Sequence, residues 1–210
     1  MPVQGAVFLE HPRFATEIAQ LWPPQEEWTE ADYFELPESN RIIELSNGEI
    51  IMPPHPTNTH QRVVLSLVLK IQSFVEAHDM GIVRFSPLPV WLWPGKIREP
   101  DILFVSHTHA DRVGEQFYGP PDLVVEVTSP STARTDRRDK HREYAQAGIG
   151  EYWLVDPDEQ TVEVFVLEGE SPDRDQDRTY ALLVRAGRGE TIRSLPLEGF
   201  EVGVDGVFAE

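Results

Sequence analysis

Apolar residues recur along this chain with two different periods, and each period predicts a different kind of element. Between Thr57 and His78 they recur every three or four positions, which predicts one face of an α-helix. A second helix is predicted from about Thr132 to Ala147, and a short one from Thr29 to Leu36. Shorter apolar runs bounded by turn residues predict strands. These runs span residues 41–45, 49–52, 82–93, 97–105, 121–128, 152–155, 161–167 and 180–185.

The order of these elements predicts an α/β fold of mixed α+β character, in which helices flank a mixed sheet. Asn47-Gly48 predicts a tight hairpin between the first two strands. The helix predicted at 132–147 lies between the strands predicted at 121–128 and 152–155. A right-handed crossover through that helix would make the two strands parallel.

Length and composition suit one domain. The chain has 210 residues, of which 40% are hydrophobic, and this is enough for a substantial core. We expect that domain over residues 29–210, preceded by a loosely packed arm over 1–28 with at most a short helix from Phe14 to Leu21. The chain has no cysteine, which excludes disulfides and thiolate chemistry. Because we find neither a signal peptide nor an apolar run of membrane length, we expect a cytoplasmic protein without a membrane segment.

One predicted strand carries an ionisable residue in its middle. Within 121–128 the side chains alternate between two faces, and one face carries Leu123, Val125 and Val127. Glu126 lies on the opposite face. A carboxylate in such a strand is costly unless it is paired, protonated or bound to a cation. Glu126 therefore predicts partners elsewhere in the chain.

A second carboxylate, Asp101, precedes the apolar run 102–105 and so stands at the mouth of a predicted strand. Carboxylates at the ends of adjacent strands can share a divalent cation, and Mg²⁺ is typically bound by one or two carboxylates with water and phosphate completing its shell. Such a site could generate hydroxide and stabilise phosphoryl charge. Asp101 and Glu126 are therefore candidate metal ligands.

Most mechanisms of this type also need a cationic side chain near the phosphate. The residue two positions after Glu126, on the same face, is Thr128 and not lysine. The next candidate is Lys140 in the predicted helix, with Asp136 one turn before it and Tyr144 one turn after it. An ordinary surface ion pair between Asp136 and Lys140 is the alternative explanation for that spacing.

The charge is strongly acidic but uneven. A formal net charge of -18 argues against general affinity for nucleic acid or anionic membranes. Residues 151–210 contain 15 acidic and 5 basic residues, whereas 131–144 contains five basic and three acidic residues. The arginines of this basic segment are candidate phosphate contacts, and a solvated helix face is the alternative. They are Arg134, Arg137, Arg138 and Arg142.

A linear pattern in the chain resembles the Uma family of restriction endonucleases, which is abundant in cyanobacteria and belongs to the PD-(D/E)XK nuclease superfamily. The pattern comprises Pro100-Asp101, Pro-Asp-Leu-Val-Val-Glu-Val-Thr-Ser-Pro-Ser-Thr at 121–132, and Ala-Gly-Ile-Gly-Glu-Tyr-Trp-Leu-Val-Asp-Pro at 147–157. The similarity extends from about residue 29 to about residue 200. It implies a restriction-endonuclease-like core.

The resemblance also implies metal-assisted hydrolysis of a DNA phosphodiester, with Mg²⁺ or Mn²⁺ as cofactor. It implies that Asp101 and Glu126 bind the metal and that Lys140 positions the water or neutralises charge. The resemblance also implies that Glu44 is an auxiliary acid contributed by the N-terminal element. The superfamily pattern has a lysine where this chain has Thr128, and in this family the lysine is thought to have moved to the following helix, which Lys140 matches.

Two histidines are weaker candidates for contacts with metal or substrate. His60 stands at the start of the long predicted helix, and His55 precedes it by five positions. Pro56 lies between them, so we do not expect both histidines on one helical face. His60 is therefore the better candidate of the two histidines. Together with Asp136 and Tyr144 of the predicted helix, it is an auxiliary candidate beside the main site.

Two other functions compete with a DNA endonuclease. The first is a nuclease-fold module that no longer cleaves and instead binds nucleic acid or a protein, which the charge of -18 and Thr128 favour. The second is a dimerisation module that uses Trp91 and Trp93 as exposed aromatic residues. A homodimer would also be compatible with catalysis.

Overall fold

A computed structural model of the chain describes residues 22–37, 40–168 and 178–209, so the helix predicted at 14–21 lies outside the described residues. The helices are α1 (Glu30–Phe34), α2 (Asn58–His78), a composite α3, and α4 (Val204–Phe208). Helix α3 joins Ala133–Thr135, a π-helical turn over Asp136–Lys140, and His141–Gln146, and a 3₁₀ helix covers His107–Arg112. The strands are β1 (Glu44–Ser46), β2 (Glu49–Ile51), β3 (Gly81–Phe85), β4 (Val90–Trp93), β5 (Lys96–Arg98), β6 (Ile102–Ser106), β7 (Leu123–Val127), β8 (Glu151–Asp156), β9 (Thr161–Glu168), β10 (Thr179–Ala186), β11 (Thr191–Arg193) and β12 (Glu201–Gly203).

A six-stranded sheet with the order β10-β9-β8-β7-β6-β3 forms the centre of the fold. Strands β7 and β8 are parallel and are joined through α3, whereas the other described pairs in this sheet are antiparallel. Antiparallel neighbours can be joined by short turns, but a parallel pair needs a crossover connection. The predicted mixed sheet and its crossover helix are confirmed.

The two faces of this sheet belong to two separate cores. Val125 of β7 packs on the same side as Leu67 of α2. Val124, the preceding residue, packs on the other side with Tyr144 of α3. Because side chains alternate along a strand, Glu126 lies on the α3 side with Val124. The face predicted for this carboxylate is confirmed.

Two runs predicted as single strands are each divided between two sheets. The run 82–93 forms β3 and β4, and the run 97–105 forms β5 and β6. Strands β4 and β5 join the first hairpin in a four-stranded sheet with the order β2-β1-β5-β4. Proline has no backbone N–H and cannot continue a ladder of hydrogen bonds. Pro87, Pro89 and Pro100 therefore mark the points where the chain passes from one sheet to the other.

The hairpin predicted at Asn47-Gly48 is present, and both residues have positive φ angles of 54° and 84°. Residues 22–28, which the sequence assigns to a loosely packed arm, pack against it. The Trp28 N–H donates to the Gly48 carbonyl at 3.0 Å. The Gln25 side chain accepts from the Ile50 N–H at 2.8 Å and donates to the Ile50 carbonyl at 3.2 Å. These hydrogen bonds attach residues 22–28 to the first hairpin.

The tryptophans proposed as an exposed dimerisation patch are half-buried within the chain, so that expectation of exposure is wrong. Trp91 packs in the small core of the four-stranded sheet, and its Nε1–H donates to Glu30 at 2.8 Å. Trp93 packs against the core on the α3 side. The Lys96 amine lies 5.9 Å from its ring centroid. Intrachain packing accounts for both rings, and a homodimer stays a prediction.

The end of the chain contains elements that the hydrophobic pattern does not predict. Strands β11 and β12 pair with each other, and α4 packs on α2. Leu197, Phe200 and Val207 from this segment complete the core on the α2 side. Within the described ranges, no helix combines the length and apolar character needed to cross a membrane.

Substitution of Gly48 by alanine tests the packing of residues 22–28. A Cβ at Gly48 would lie 2.4 Å from the Glu26 carbonyl oxygen, whereas a Cβ at Gly95, with a similar φ of 78°, would meet nothing within 4 Å. Gly95→Ala should cost about 1–2 kcal/mol of unfolding free energy from left-handed strain alone. Gly48→Ala should cost about 1–3 kcal/mol more, because its neighbours must move. Urea denaturation measures both, and equal losses would contradict the described packing.

Candidate active site

A cavity of about 320 Å³ opens where the start of β6 and the end of β7 meet the beginnings of α2 and α3. Prolines from the segment 53–56 form part of its wall. The wall also contains Asp101, Glu126, Asp136, Lys140 and His60. Glu44 and Tyr144 lie behind the wall, where they contact residues that line it. The residues predicted for the site therefore come together.

Asp101 is held beside the end of β7. Ile102 pairs with Val125 across the antiparallel β6–β7 ladder, and this register brings the preceding residue, Asp101, opposite the residue after Val125. The Val127 N–H donates to Asp101 Oδ2 at 2.7 Å, and His60 Nε2 lies 3.1 Å from the same oxygen. Burial alone would lower the pKa of His60, but the hydrogen bond to Asp101 and its charge raise it.

Glu126 is only 4% exposed and accepts two hydrogen bonds on Oε1. Lys140 Nζ donates at 2.9 Å and the Tyr144 hydroxyl at 2.6 Å. Burial raises the pKa of Glu126 to about 8, against the opposing effect of Lys140 and with the help of the nearby Asp136 and Asp101 charges. The site therefore concentrates negative charge beyond what one lysine neutralises.

Lys140 reaches the site from the π-helical turn of α3. Besides Glu126, its amine lies 3.1 Å from Glu44 Oε1 and 3.8 Å from Asp136 Oδ1. Burial alone would lower the pKa of Lys140, but the charges of Glu126 and Glu44 raise it well above its ordinary value. For the carboxyl group of Asp136 burial has the opposite effect and raises the pKa, although Lys140 opposes this shift. Both residues are buried, so the alternative of an ordinary surface pair is wrong.

Glu44 comes from β1 in the four-stranded sheet and is buried. Arg98 Nη1 donates to its Oε2 at 2.7 Å, and the Glu99 N–H donates to Oε1 at 3.2 Å. Burial raises the pKa of Glu44, but Lys140 and Arg98 outweigh this effect and the pKa is lowered. Glu44 is therefore an ionised link between Lys140 and the four-stranded sheet.

Three further charged residues lie behind Glu44, and the sequence analysis missed them. Arg98 donates from Nε and Nη2 to the two oxygens of Glu143 at 2.8 and 3.1 Å. Lys96 Nζ also donates to Glu143, at 2.8 Å. A signal was available, since alternation places Lys96 and Arg98 on one face of β5 and Glu143 follows Lys140 by three helical positions.

Glu99 is a fourth carboxylate that lines the cavity. Its Oε1 accepts from the Tyr33 hydroxyl and from the Ile43 N–H, each at 3.1 Å. Its Oε2 is buried without a hydrogen-bond partner among the described residues. Burial raises the pKa of Glu99 to about 7, although the Ile43 and Tyr33 hydrogen bonds oppose this shift. One oxygen of Glu99 is therefore anchored, and the other has no hydrogen-bond partner in the described part of the chain.

The weaker candidates are His55 and the arginines of α3. His55 lies on the cavity wall but precedes α2, so it does not share a helical face with His60, as expected. The four arginines of the basic segment in α3 are exposed. Within it, Arg137 forms ion pairs with Glu163 and, at 3.5 Å, with Asp156. The other three arginines form no ion pair with a described residue, and they are Arg134, Arg138 and Arg142.

The donor set suits a hard divalent cation with an incomplete protein shell. The contacts above use Asp101 Oδ2 and Glu126 Oε1, which leaves the second oxygen of each carboxylate outside those bonds. No cluster of three or more histidine, aspartate or glutamate side chains arranged to hold a metal occurs in the described ranges. Mg²⁺ is commonly bound by only one or two carboxylates, with water and phosphate as its remaining ligands. The residues present fit such an ion.

Comparison with known proteins places the chain in a family. A comparison with curated proteins gave no match. A solved structure described as a "putative nuclease belonging to DUF820 from Anabaena variabilis ATCC 29413" matches with a TM-score of 0.68 and 23% identity, over 86% of this chain and 97% of that chain. At this identity the match shows a shared fold. The family model Uma2, described as "Putative restriction endonuclease", matches residues 30–205. The chain therefore belongs to the Uma2 family.

Proposed function

We propose that this protein is a metal-dependent endonuclease that hydrolyses DNA phosphodiester bonds. The observation that carries the proposal is the shared cavity wall, where Asp101 directly precedes β6, Glu126 lies in the neighbouring β7, and the Lys140 amine lies 2.9 Å from Glu126. Two carboxylates and an amine around one cavity are the groups that metal-assisted phosphoryl chemistry requires. DNA as the substrate follows from the description of the family.

The proposed cofactor is Mg²⁺ or Mn²⁺, held by Asp101 and Glu126. When bound, such an ion would activate water and stabilise charge on the phosphate. The raised pKa of Glu126 supports its place here, because a carboxylate that burial and neighbouring charges destabilise as an anion gains most from an added cation.

The protein's own residues would prepare this reaction. The Val127 N–H and His60 hold Asp101 through one oxygen and so orient the other. Lys140 neutralises part of the charge of Glu126 and provides an ammonium group at the cavity wall, where it can stabilise phosphate oxygens. The Tyr144 hydroxyl fixes Glu126 from behind the wall. Glu44 balances the charge of Lys140 and is an auxiliary acid without direct access to the cavity.

A catalytically inactive module that binds nucleic acid or a protein is the second candidate. The net charge of -18 and Thr128 at the usual lysine position favour it. The position of Lys140 favours the enzyme, because its buried amine faces Glu126 instead of the outer helix surface. Activity measurements separate the two candidates.

Asp101→Asn and Glu126→Gln should each reduce cleavage of supercoiled plasmid by about 10³-fold with Mg²⁺ or Mn²⁺, since several kcal/mol of transition-state stabilisation is lost. Asp139→Asn is the matched control, because Asp139 lies on the same π-helical turn as Lys140 but is exposed. We expect wild-type cleavage from this control. The proposed endonuclease activity would be refuted if the wild type cleaved with none of the metals tested, or if Glu126→Gln cleaved as well as the wild type.

Two neighbouring arginines test the phosphate contacts. We expect Arg138→Gln, measured in the Glu126→Gln background, to weaken DNA binding and to lower the slope of log affinity against log salt by about 0.9, the loss of one phosphate contact. Arg137→Gln should change the slope less, because Asp156 and Glu163 already pair with Arg137. Fluorescence anisotropy at several salt concentrations measures both slopes. A slope in Arg138→Gln that equals the slope of the Glu126→Gln parent would argue that α3 does not contact DNA through Arg138.

A further inference from the structure

The buried charges behind Glu44 form a continuous network between the four-stranded sheet and α3. We call Lys96, Arg98, Glu143 and Glu44 the inner ion network. Arg98 is its centre, because its guanidinium donates one hydrogen bond to Glu44 and two to Glu143. The side chains of Arg98, Glu44 and Glu143 are only 2–4% exposed. None of these four residues lines the cavity.

Stability alone does not explain this network. Desolvation makes buried ion pairs expensive, and apolar residues of similar volume are often at least as stabilising. A buried charge network can instead specify one arrangement of the groups it joins. The planar fork of arginine suits this purpose, since it can make several hydrogen bonds in one fixed geometry. The relevant question is therefore which group Arg98 holds in place.

The network leads directly to the Lys140 amine. Glu44 accepts from Arg98 on Oε2 at 2.7 Å, and its other oxygen lies 3.1 Å from Lys140 Nζ. Lysine has a flexible four-carbon stem, and the amine has three carboxylates within reach: Glu126, Glu44 and Asp136. With Glu44 fixed by Arg98, the amine is held at the point where it also bonds Glu126.

We propose that Arg98 is a positioning residue, which Glu143 anchors and which acts through Glu44 to hold the Lys140 amine beside Glu126. Its effect on cleavage rests on the proposed function, whereas its effect on the position of the amine does not. The two effects can therefore be measured separately.

The position of the Lys140 amine can be followed by NMR, without measuring DNA cleavage. The chain contains only three lysines, Lys70, Lys96 and Lys140. Protein labelled with [¹⁵N]lysine therefore gives three ammonium signals, which Lys→Arg substitutions assign. In Arg98→Met we expect the Lys140 signal to shift or to broaden beyond detection, while the Lys70 signal stays unchanged. An unchanged Lys140 signal overturns the proposal, whatever the activity.

The same variant is then assayed for cleavage. If the wild type cleaves, Arg98→Met should lower kcat by about 10²-fold, the effect of a small misplacement, and should change KM by less than about threefold. An unchanged kcat overturns the positioning role. If the wild type does not cleave but the Lys140 signal responds, the proposed function fails and the positioning of Lys140 by Arg98 stands.

Two further variants make these results interpretable. Arg193→Met removes an exposed arginine that pairs with Glu201, and it should leave both the Lys140 signal and kcat unchanged. Arg98→Lys keeps the buried charge but cannot reproduce all three hydrogen bonds. If Arg98→Met does not fold, Arg98→Lys takes its place, with the same direction of change expected for the Lys140 signal and a smaller fall in kcat. Wild-type values for both quantities in Arg98→Lys overturn the proposal.

Discussion

The burial of one lysine amine among three carboxylates constrains the site more than any other interaction. Lys140 bonds Glu126 in β7 and Glu44 in β1, and it faces Asp136 in its own helix. The amine therefore joins the central sheet, the four-stranded sheet and α3. Removing one partner from a buried ion pair typically costs about 3–5 kcal/mol, because the other charge is left uncompensated. Lys140 thus helps to fix the relative positions of the two sheets and α3, together with the bonds of Arg98 and Lys96 to Glu143.

The charges around the amine do not balance locally, and this imbalance connects the fold to the proposed chemistry. Glu44 is ionised, with a lowered pKa, because Arg98 serves it as a second cation. Glu126 and Asp136 have raised pKa values, since burial acts on both and they share Lys140. Glu126 and Asp136, both at the cavity wall, are therefore carboxylates that one lysine neutralises only in part. In the reaction that we propose, a divalent ion and a phosphate group would enter the site at this wall, where the ion would compensate the excess negative charge.

Much of the site could be predicted because it depends on local patterns. Alternation within β7 assigns Glu126 to the face opposite Val125, and the break before β6 places Asp101 at the start of a strand. The inner ion network could not be predicted in the same way. Arg98 and Glu143 are 45 positions apart in sequence, and they meet only because the four-stranded sheet docks on α3. The division of the run 82–93 between two sheets was missed for a related reason, since its hydrophobic pattern is continuous and only its prolines mark the break.

The lysine itself shows why a motif is an incomplete guide to this site. Thr128, two positions after Glu126, stands where the superfamily pattern that the sequence resembles has a lysine, and it is buried, with its N–H donating to the Val155 carbonyl at 2.8 Å. An α-helix advances 3.6 residues per turn, so residues spaced by four drift around its axis. The π-helical turn over Asp136–Lys140 is wider. It reduces that drift, so that Lys140 and Tyr144 both bond Glu126 while Asp136 lies 3.8 Å from the Lys140 amine. What the chemistry requires is an amine at one point in space, and a long flexible side chain can supply it from α3 as well as from β7.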